Sequence, residues 1–293
     1  MISLTSSQDQ LNQLKNQFLD PLANELAEKV RWKYIKGFSN KRSDLYPIAT
    51  LGKGPSILML HGFDSCFLEF RRLVPLLEHD YKLIIPDLYG FGFCPRPKIN
   101  NYGFESVISH LNQILDDFAL NSPIGILGAS MGGAVAMELT RRNPHKISRL
   151  LLLSPAGLCN DPKHIPWPLD QLGVWFLKQP CIRKNLCRQA FANPRESVGK
   201  AEEEIASIHL NVPGWHRSLA SFARNGGVAY SKKTIPSHPI NVLWGAQDRI
   251  ISTSVRKESM LLLNRPLIEI EDCGHLPHLD KPNIVAENCK GFG

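Results

Sequence analysis

The sequence has no apolar run long enough to cross a lipid bilayer. A membrane-spanning helix needs about 20 consecutive apolar residues, and every apolar run in this chain is far shorter. The first ten residues are mostly polar and lack the basic start and apolar centre of a secretory signal. We therefore expect neither a transmembrane protein nor a secreted one.

The sequence also lacks a disulfide framework and a metal-binding pattern. Its seven cysteines are odd in number and form no Cys-x-x-Cys pair, which argues against disulfides and zinc knuckles. Such cysteines are typical of a reducing compartment, so we expect a cytoplasmic location. His275 and His278 form a His-x-x-His pair without a third ligand spaced to suit zinc, and we predict no metal site.

Motifs for nucleotides and nucleic acids are missing as well. Gly52-Lys53-Gly54 lacks the spacing of a phosphate-binding loop and precedes a predicted strand rather than a helix. The net charge of +7 is accompanied by no nucleic-acid-binding module and no lysine-rich arm. We therefore expect no organic cofactor and no nucleic-acid partner.

Short apolar runs alternate with amphipathic stretches along most of the chain. Six strands are predicted before residue 157, an opening β-pair and four short apolar runs: 30–35, 45–51, 56–60, 83–85, 124–127 and 150–153. Strands that alternate with helices across short links are typical of a parallel sheet covered on both faces. We therefore predict an α/β fold with a mostly parallel central sheet flanked by helices.

The alternation stops after the sixth strand and later resumes with a strand, a helix and another strand. The interruption, 157–238, has a mostly helical pattern rich in Trp, Phe and Leu. We predict a helical cap over the carboxyl ends of the strands, where ligands bind in open α/β sheets. The core then comprises 29–156 and 239–293, and an apolar stripe interrupted by Pro21 predicts an amino-terminal helical extension over 1–28.

One glycine-rich segment has the pattern of a nucleophile elbow. Gly128-Ala129-Ser130-Met131-Gly132 follows an apolar strand and opens a helix, as the G-x-S-x-G turn of a serine nucleophile does. Small residues two positions to either side of Ser130 avoid collision in this tight turn, and the amino end of the helix favours negative charge. The alternative is a serine in a glycine-rich packing turn.

Two later residues are placed to assist Ser130. Asp248 follows the strand predicted at 240–244, and His275 follows the next strand, so both lie in loops at the carboxyl ends of strands. A serine nucleophile needs a base, and that base needs a carboxylate to hold its tautomer. We predict Ser130, Asp248 and His275 as the catalytic residues.

Other titratable residues near these loops are weaker candidates. Asp272 lies too close in sequence to His275 to approach it from the other side, and Asp87, which ends an earlier strand, is a lesser substitute for Asp248. His61 precedes a glycine turn, where we expect it to hydrogen-bond its own loop. The remaining histidines are expected in surface or loop positions: 79, 110, 145, 164, 209, 216 and 238.

The oxygen of an attacked carbonyl needs hydrogen-bond donors as it becomes negative. One donor is expected from the residue after the nucleophile and one from the loop after the third strand, where His61-Gly62-Phe63 lies. We predict that the backbone N–H groups of Phe63 and Met131 form this oxyanion hole, and that the Phe63 side chain contacts substrate.

The predicted cap is both apolar and basic. It contains eleven Lys and Arg residues against six Asp and Glu residues, beside aromatic side chains of which Trp167, Trp175 and Phe176 are expected to contact substrate. Apolar groups beside a basic run are also what an interfacial helix shows on an anionic membrane. The simpler interpretation is that they pack the cap and line a pocket. Both interpretations favour a large apolar substrate over a sugar or phosphate ester.

These motifs together resemble the α/β-hydrolase superfamily, whose triad has the chain order Ser, acid, His. They are HGFDS (61–65), PDLYGFG (86–92), GASMGG (128–133), WGAQD (244–248) and DCGHLPHLDKP (272–282). The resemblance implies a serine hydrolase whose nucleophile, acid and base fall on Ser130, Asp248 and His275. Many members have His where this chain has Ala129, a departure that leaves the mechanism intact.

Two longer stretches more narrowly resemble the plant and cyanobacterial chlorophyll dephytylases: HGFDSCFLEFRR (61–72) and GHLPHLDKP (274–282). This resemblance implies hydrolysis of the ester that joins phytol to the chlorophyll macrocycle, giving chlorophyllide and free phytol. It is compatible with a cytoplasmic protein that lies peripherally on a thylakoid-type membrane.

Other functions fit the same motifs. A general carboxylesterase or a C–C bond hydrolase would use the same scaffold, and a hydrolase-fold receptor would bind an apolar ligand with little turnover. Epoxide hydrolases and haloalkane dehalogenases carry an Asp at the elbow, so Ser130 excludes both.

Overall fold

An eight-stranded sheet forms the centre of the protein. The computed structural model describes residues 6–38, 41, 43–98, 100–118, 122–159, 161–230 and 234–292. In chain order, the strands are β1 (Val30–Tyr34), β2 (Leu45–Leu51), β3 (Ser56–Leu60), β4 (Lys82–Pro86), β5 (Ile124–Ala129), β6 (Ile147–Leu153), β7 (Ile240–Gly245) and β8 (Leu267–Ile270).

The spatial order of the strands is β1-β2-β4-β3-β5-β6-β7-β8. Strand β2 pairs antiparallel with β1 and β4, and all the other neighbours are parallel. This order places β5 between β3 and β6, with Ile57 opposite Gly125 and Leu127 opposite Leu151. The predicted α/β fold with a mostly parallel sheet is confirmed.

Helices cover both faces of the sheet. In chain order, the α-helices of the described residues are α1 (Ser7–Leu14), α2 (Pro21–Glu28), α3 (Val74–Leu77), α4 (Phe104–Asp117), α5 (Met131–Arg142), α6 (Leu169–Lys178), α7 (Pro180–Gln189), α8 (Pro194–Ser197), α9 (Lys200–Ile205), α10 (Trp215–Arg224), α11 (Thr253–Leu263), α12 (Pro277–Asp280) and α13 (Pro282–Asn288). Short 3-10 helices lie at Phe67–Phe70 and Ile208–Asn211. No helix in the described ranges is both long enough and apolar enough to traverse a bilayer.

The apolar core has two layers because side chains of a strand alternate between its faces. In β3, Ile57 and Met59 join one layer, which packs under α1, α2, α3 and α13. Leu58 and Leu60 point the other way and join the layer under α4 and α5. All six residues of β5 are buried, as expected for a strand covered on both faces.

The amino-terminal helical stripe is two helices rather than one. Helix α1 ends at Leu14, and α2 begins at Pro21 with the Asp20 side chain accepting the Leu22 N–H at 3.0 Å. Pro21 therefore starts a helix instead of interrupting one, because proline has no N–H to donate and suits the first turn.

Helices α6 to α10 lie between β6 and β7, within the predicted insertion, which we call the cap segment (157–238). Asp170 of α6 and Arg224 of α10 form an ion pair. The side chain of Val174, also on α6, is buried in the core layer that α4 and α5 cover. The cap segment thus packs as a helical layer against the core.

Candidate active site

Ser130 lies in a strained turn between the end of β5 and the start of α5. Its φ of 51° and ψ of −116° are unusual for a residue with a side chain. The turn is tight enough that a Cβ added to Gly132 would lie 2.1 Å from the Leu60 carbonyl oxygen, and one on Gly128 would lie 2.4 Å from the Gly132 oxygen. Only glycine fits at these two positions, which explains why a glycine lies two residues before and two residues after Ser130.

A chain of two hydrogen bonds joins the three predicted side chains. The Ser130 hydroxyl donates to His275 Nε2 at 2.8 Å, and His275 Nδ1–H donates to Asp248 Oδ2 at 2.8 Å. Ser130 and His275 are nearly buried. The carboxyl ends of β5, β7 and β8 therefore bring together residues that are 145 and 27 positions apart in sequence.

Asp248 is held as a carboxylate that orients the imidazole. Trp244 Nε1–H donates to Oδ2 at 2.8 Å, and the N–H groups of Ile250 and Ile251 donate to Oδ1 at 2.8 and 3.0 Å. Burial by itself would raise the pKa of Asp248, but the hydrogen bond from His275 and the two backbone donors lower it below its ordinary value. Asp248 thus stays ionised beside the imidazole.

The predicted oxyanion donors flank Ser130. Met131 is the first residue of α5, and Gly62 approaches the serine so closely that a Cβ on it would lie 3.5 Å from Ser130 Cβ. Within the described part of the chain, neither the Phe63 N–H nor the Met131 N–H has a protein acceptor. Both donors are therefore available to an anionic oxygen at the amino end of α5.

His61 and Glu69 hold the loop that carries Phe63. His61 Nδ1–H donates to the Gly62 carbonyl at 2.8 Å, and His61 Nε2 accepts the Leu88 N–H at 3.0 Å. Burial lowers the pKa of His61 to about 4, so the ring is neutral near pH 7. The Gly62 N–H donates to the buried Glu69 carboxylate at 3.3 Å. His61 therefore bonds its own loop, as predicted.

Asp87 does not approach His275. It accepts the N–H groups of Phe67 and Phe93, each at 2.6 Å, and is fully buried. Burial raises its pKa to about 7 despite these two donors. Asp87 supports two loops of the core, and Asp248 is the carboxylate that contacts the imidazole.

A buried carboxylate next to Phe63 joins the core to the cap segment, and the sequence did not reveal it. Asp64 accepts hydrogen bonds from His209 Nε2 at 3.0 Å, from Trp215 Nε1 at 2.8 Å and from Arg183 at 2.5 Å. Burial opposes its ionisation, but His209 and Arg183 outweigh that effect and lower its pKa to about 2. We call these four residues the Asp64 cluster.

Two histidines are wrongly predicted as surface or loop residues. His209 lies in the 3-10 helix of the cap segment with 1% of its surface exposed, and His110 is fully buried in α4. The His110 ring packs against the rings of Phe38 and Tyr46 at centroid distances of 4.9 Å. His110 lies on the apolar stripe of α4, where helical spacing marks it for burial. No local pattern marks His209, because the surroundings that bury it come from distant parts of the chain.

A pocket of about 340 Å³ opens beside Ser130. It has a mostly apolar lining: Phe63, Leu177, Leu186, Cys187, Ala190, Ala206, Ile250 and Leu276, together with Gly62, Asp64, Ser65, Glu69, Ser130, Arg183 and His275. A second, much smaller cavity of about 80 Å³ shares part of that lining and extends toward Phe191, Ile205 and Leu279. The cap segment thus supplies much of the apolar wall over the hydroxyl group.

The three aromatic residues predicted to contact substrate do not line this pocket. Trp167, Trp175 and Phe176 are more than half exposed, because α6 turns Val174 inward and Leu177 toward the pocket. The predicted substrate contacts of Trp167, just before α6, and of Trp175 and Phe176, on α6, are therefore wrong, and Leu177 is the residue of α6 that lines the pocket. Phe63 does line the pocket, and its contact with substrate stays a prediction.

Among the described residues, no three His, Cys, Asp or Glu side chains are arranged so that they could hold a metal ion.

Comparison with known proteins shows which family the chain resembles. Residues 55–282 match the family of the alpha/beta hydrolase fold. The alpha/beta hydrolase domain-containing protein VTE7 of Arabidopsis thaliana is 28% identical, over 93% of this chain and 86% of that protein. The 2-hydroxy-6-oxo-2,4-heptadienoate hydrolase of Pseudomonas putida is 28% identical, over 79% and 86%.

A lipase and a solved structure extend the comparison. Lipase 1 of Psychrobacter immobilis is 27% identical over 82% of this chain and 77% of the lipase. The structure of the epoxide hydrolase CorEH superposes with a TM-score of 0.74 at 18% identity, covering 90% of this chain and 97% of that one. From the match over most of its length and the shared fold, the chain belongs to the alpha/beta hydrolase family.

Proposed function

We propose that the protein is a serine esterase that hydrolyses a large apolar ester through an acyl-enzyme. The observation that carries this proposal is the hydrogen-bonded chain Ser130–His275–Asp248 beneath a mostly apolar pocket. In this arrangement a serine hydroxyl gains a base, and the base gains a carboxylate that stabilises its protonated form.

The reaction follows from the positions of these groups. His275 Nε2 takes the hydroxyl proton as Ser130 Oγ bonds to the ester carbonyl carbon. The N–H groups of Phe63 and Met131 stabilise the oxyanion of the tetrahedral intermediate. His275 then gives the proton to the leaving alcohol oxygen as the C–O bond breaks. A water molecule, deprotonated by His275, cleaves the acyl-enzyme and restores Ser130.

The substrate that we propose is chlorophyll, cleaved to chlorophyllide and phytol. Support comes from the dephytylase-like stretches at 61–72 and 274–282, which contribute Phe63, Glu69, His275 and Leu276 to the pocket lining. The mostly apolar wall of the pocket suits a hydrocarbon chain. The one arginine of the pocket lining, Arg183, is paired with Asp64, so it offers no free cation to an acidic substrate.

Product analysis tests this function directly. Purified protein is incubated with detergent-dispersed chlorophyll, and chlorophyllide is separated by chromatography. Ser130→Ala is the matched control, and its rate should fall at least about 10³-fold because the nucleophile is lost. A fluorophosphonate probe should label the wild type and not the variant. Absence of chlorophyllide above the Ser130→Ala level would refute chlorophyll as substrate, and absence of labelling would refute the serine mechanism.

A C–C bond hydrolase is the second candidate because of the relative from Pseudomonas putida. The dienoate named for that relative carries a carboxylate, which the paired Arg183 of this pocket is not free to bind. Turnover of such a dienoate together with inertness toward esters would favour this alternative.

A further inference from the structure

An exposed apolar surface lies on the first helix of the cap segment and the residues just before it. Six large side chains within twelve residues are between 41% and 75% exposed: Ile165, Trp167, Leu169, Leu172, Trp175 and Phe176. We call this surface the α6 face. Contiguous apolar surface of this kind marks a site of interaction rather than ordinary exposed surface.

The α6 face cannot be explained as part of the core. The opposite side of the helix is already packed, with Asp170 and Val174 buried and Asp170 paired with Arg224 of α10. Leu177, at the end of the same helix, lines the pocket beside Ser130. The helix therefore contacts the core and the pocket with one side and leaves a second apolar side without a partner in the described chain.

Exposed cations follow the α6 face along the chain. Lys178 ends α6, and Arg188 lies on α7, which begins two residues later. Both are exposed, and among the described residues neither has a carboxylate within ion-pair distance. Two tryptophans with adjacent cations are the composition of helices that lie in the interface of an anionic membrane, where indole rings favour the headgroup level.

We propose that the α6 face docks the protein on an anionic lipid bilayer. Trp167, Leu172 and Trp175 enter the acyl boundary, while Lys178 and Arg188 contact anionic headgroups. Leu177 then places the pocket next to the lipid surface, so that an apolar ester passes from the bilayer to Ser130. The docking does not depend on the reaction, whereas this substrate route rests on the proposed function.

Charge favours a bilayer over a second copy of the chain. A two-fold dimer through the α6 face would place each patch against itself, and the patch offers these cations no exposed carboxylate, because its acidic residue, Asp170, is buried. Anionic lipid neutralises the same cations, and each of them contributes favourably near such a surface.

Sedimentation with sucrose-loaded vesicles tests the docking. The full chain is mixed with vesicles of phosphatidylcholine alone or with 30% phosphatidylglycerol. We expect binding to the anionic vesicles, much weaker binding to the neutral ones, and a loss of binding as salt rises, because salt screens the cations.

Matched variants locate the surface. Leu172→Asp should lower the partition coefficient about tenfold, and Lys178→Glu about fivefold. Leu261 and Lys257 are an exposed apolar and an exposed basic residue on α11. Leu261→Asp and Lys257→Glu should therefore change binding less than about twofold, if docking uses only the α6 face. Hydrolysis of soluble 4-nitrophenyl butyrate should be the same in all four variants.

Several outcomes would overturn the docking. They are no binding to anionic vesicles, equal binding to neutral vesicles, or an equal loss for Leu172→Asp and Leu261→Asp. A concentration-dependent dimer that Leu172→Asp abolishes would assign the α6 face to a second copy. Vesicle binding without any ester hydrolysis would support the docking and refute only the proposed function.

Discussion

Asp64 connects the candidate oxyanion hole to the cap segment through one side chain. It is the residue after Phe63, and its three hydrogen-bond donors come from α7, the 3-10 helix at Ile208–Asn211 and α10. The Arg183 side chain that pairs with it is only 10% exposed. Since a buried cation without its partner is costly, this contact should fix both the Phe63 N–H and the position of the cap segment.

Replacing Asp64 with Asn should therefore impair catalysis as well as stability. Complete loss of one oxyanion donor lowers kcat about 10²- to 10³-fold. A displaced Phe63 N–H would stabilise the oxyanion less well, so kcat should fall by part of that factor. We expect kcat for 4-nitrophenyl butyrate to fall about 10- to 100-fold in Asp64→Asn, with a smaller change in KM. Steady-state kinetics measure both constants.

Asp170→Asn is the matched control for Asp64→Asn. Asp170 is a second buried carboxylate of the cap segment, and it pairs with Arg224 rather than with a residue beside Ser130. Both variants should lower the urea midpoint of unfolding, and only Asp64→Asn should lower kcat. Equal falls in kcat would contradict a positioning role for Asp64.

At the scale of elements, the junction of β5 and α5 depends on close contact between backbones. Gly132 lies against the carbonyl group of Leu60 at the end of β3, and Gly128 lies against Gly132. The elbow can therefore hold Ser130 at φ 51° only while the helix end touches the neighbouring strand.

Gly132→Ala should disrupt this junction. Its Cβ would lie 2.1 Å from a backbone oxygen that cannot rotate away, so we expect the free energy of unfolding to fall by about 3 kcal/mol. Gly173→Ala in α6 is the control, because nothing lies within 4 Å of the added Cβ. That variant should be unchanged or more stable by about 0.5–1 kcal/mol. Urea denaturation measures both, and an unaffected Gly132→Ala would contradict the tight elbow.

At the scale of the whole molecule, buried histidines make folding sensitive to acid. Burial lowers the pKa of His110 to about 3, well below the value of about 6.5 in an unfolded chain. Between these two values the unfolded chain binds a proton that the folded protein does not. The free energy of unfolding therefore decreases as pH falls from 6.5 toward 3, by about 1.4 kcal/mol per pH unit for this group.

His110→Phe should remove that contribution. We expect the difference in free energy of unfolding, variant minus wild type, to grow by about 2–3 kcal/mol between pH 7 and pH 4.5. His79→Phe changes an exposed histidine and should show no such trend. Urea unfolding at several pH values measures the difference, and a parallel profile for His110→Phe and wild type would contradict a neutral buried His110.

Much of the fold and part of the candidate site could be predicted because their signals are local. Strands and helices follow from apolar periodicity. The glycines at 128 and 132 indicate a tight turn, in which no larger residue fits at these two positions. Asp248 and His275 could be placed beside Ser130 because parallel strands carry their following loops to the same edge of the sheet. The resemblance to known hydrolases pointed to the same residues.

The sequence by itself determined the order of the elements and the types of side chain at the strand ends. The tertiary structure alone decided which side of α6 faces the pocket, so that Leu177 lines it and Trp175 is exposed. It also decided that His209 meets Asp64 across 145 residues of chain. The reason is physical. Apolar periodicity in the sequence indicates that a helix has an apolar side, whereas the contacts of that side depend on how distant segments of the chain pack.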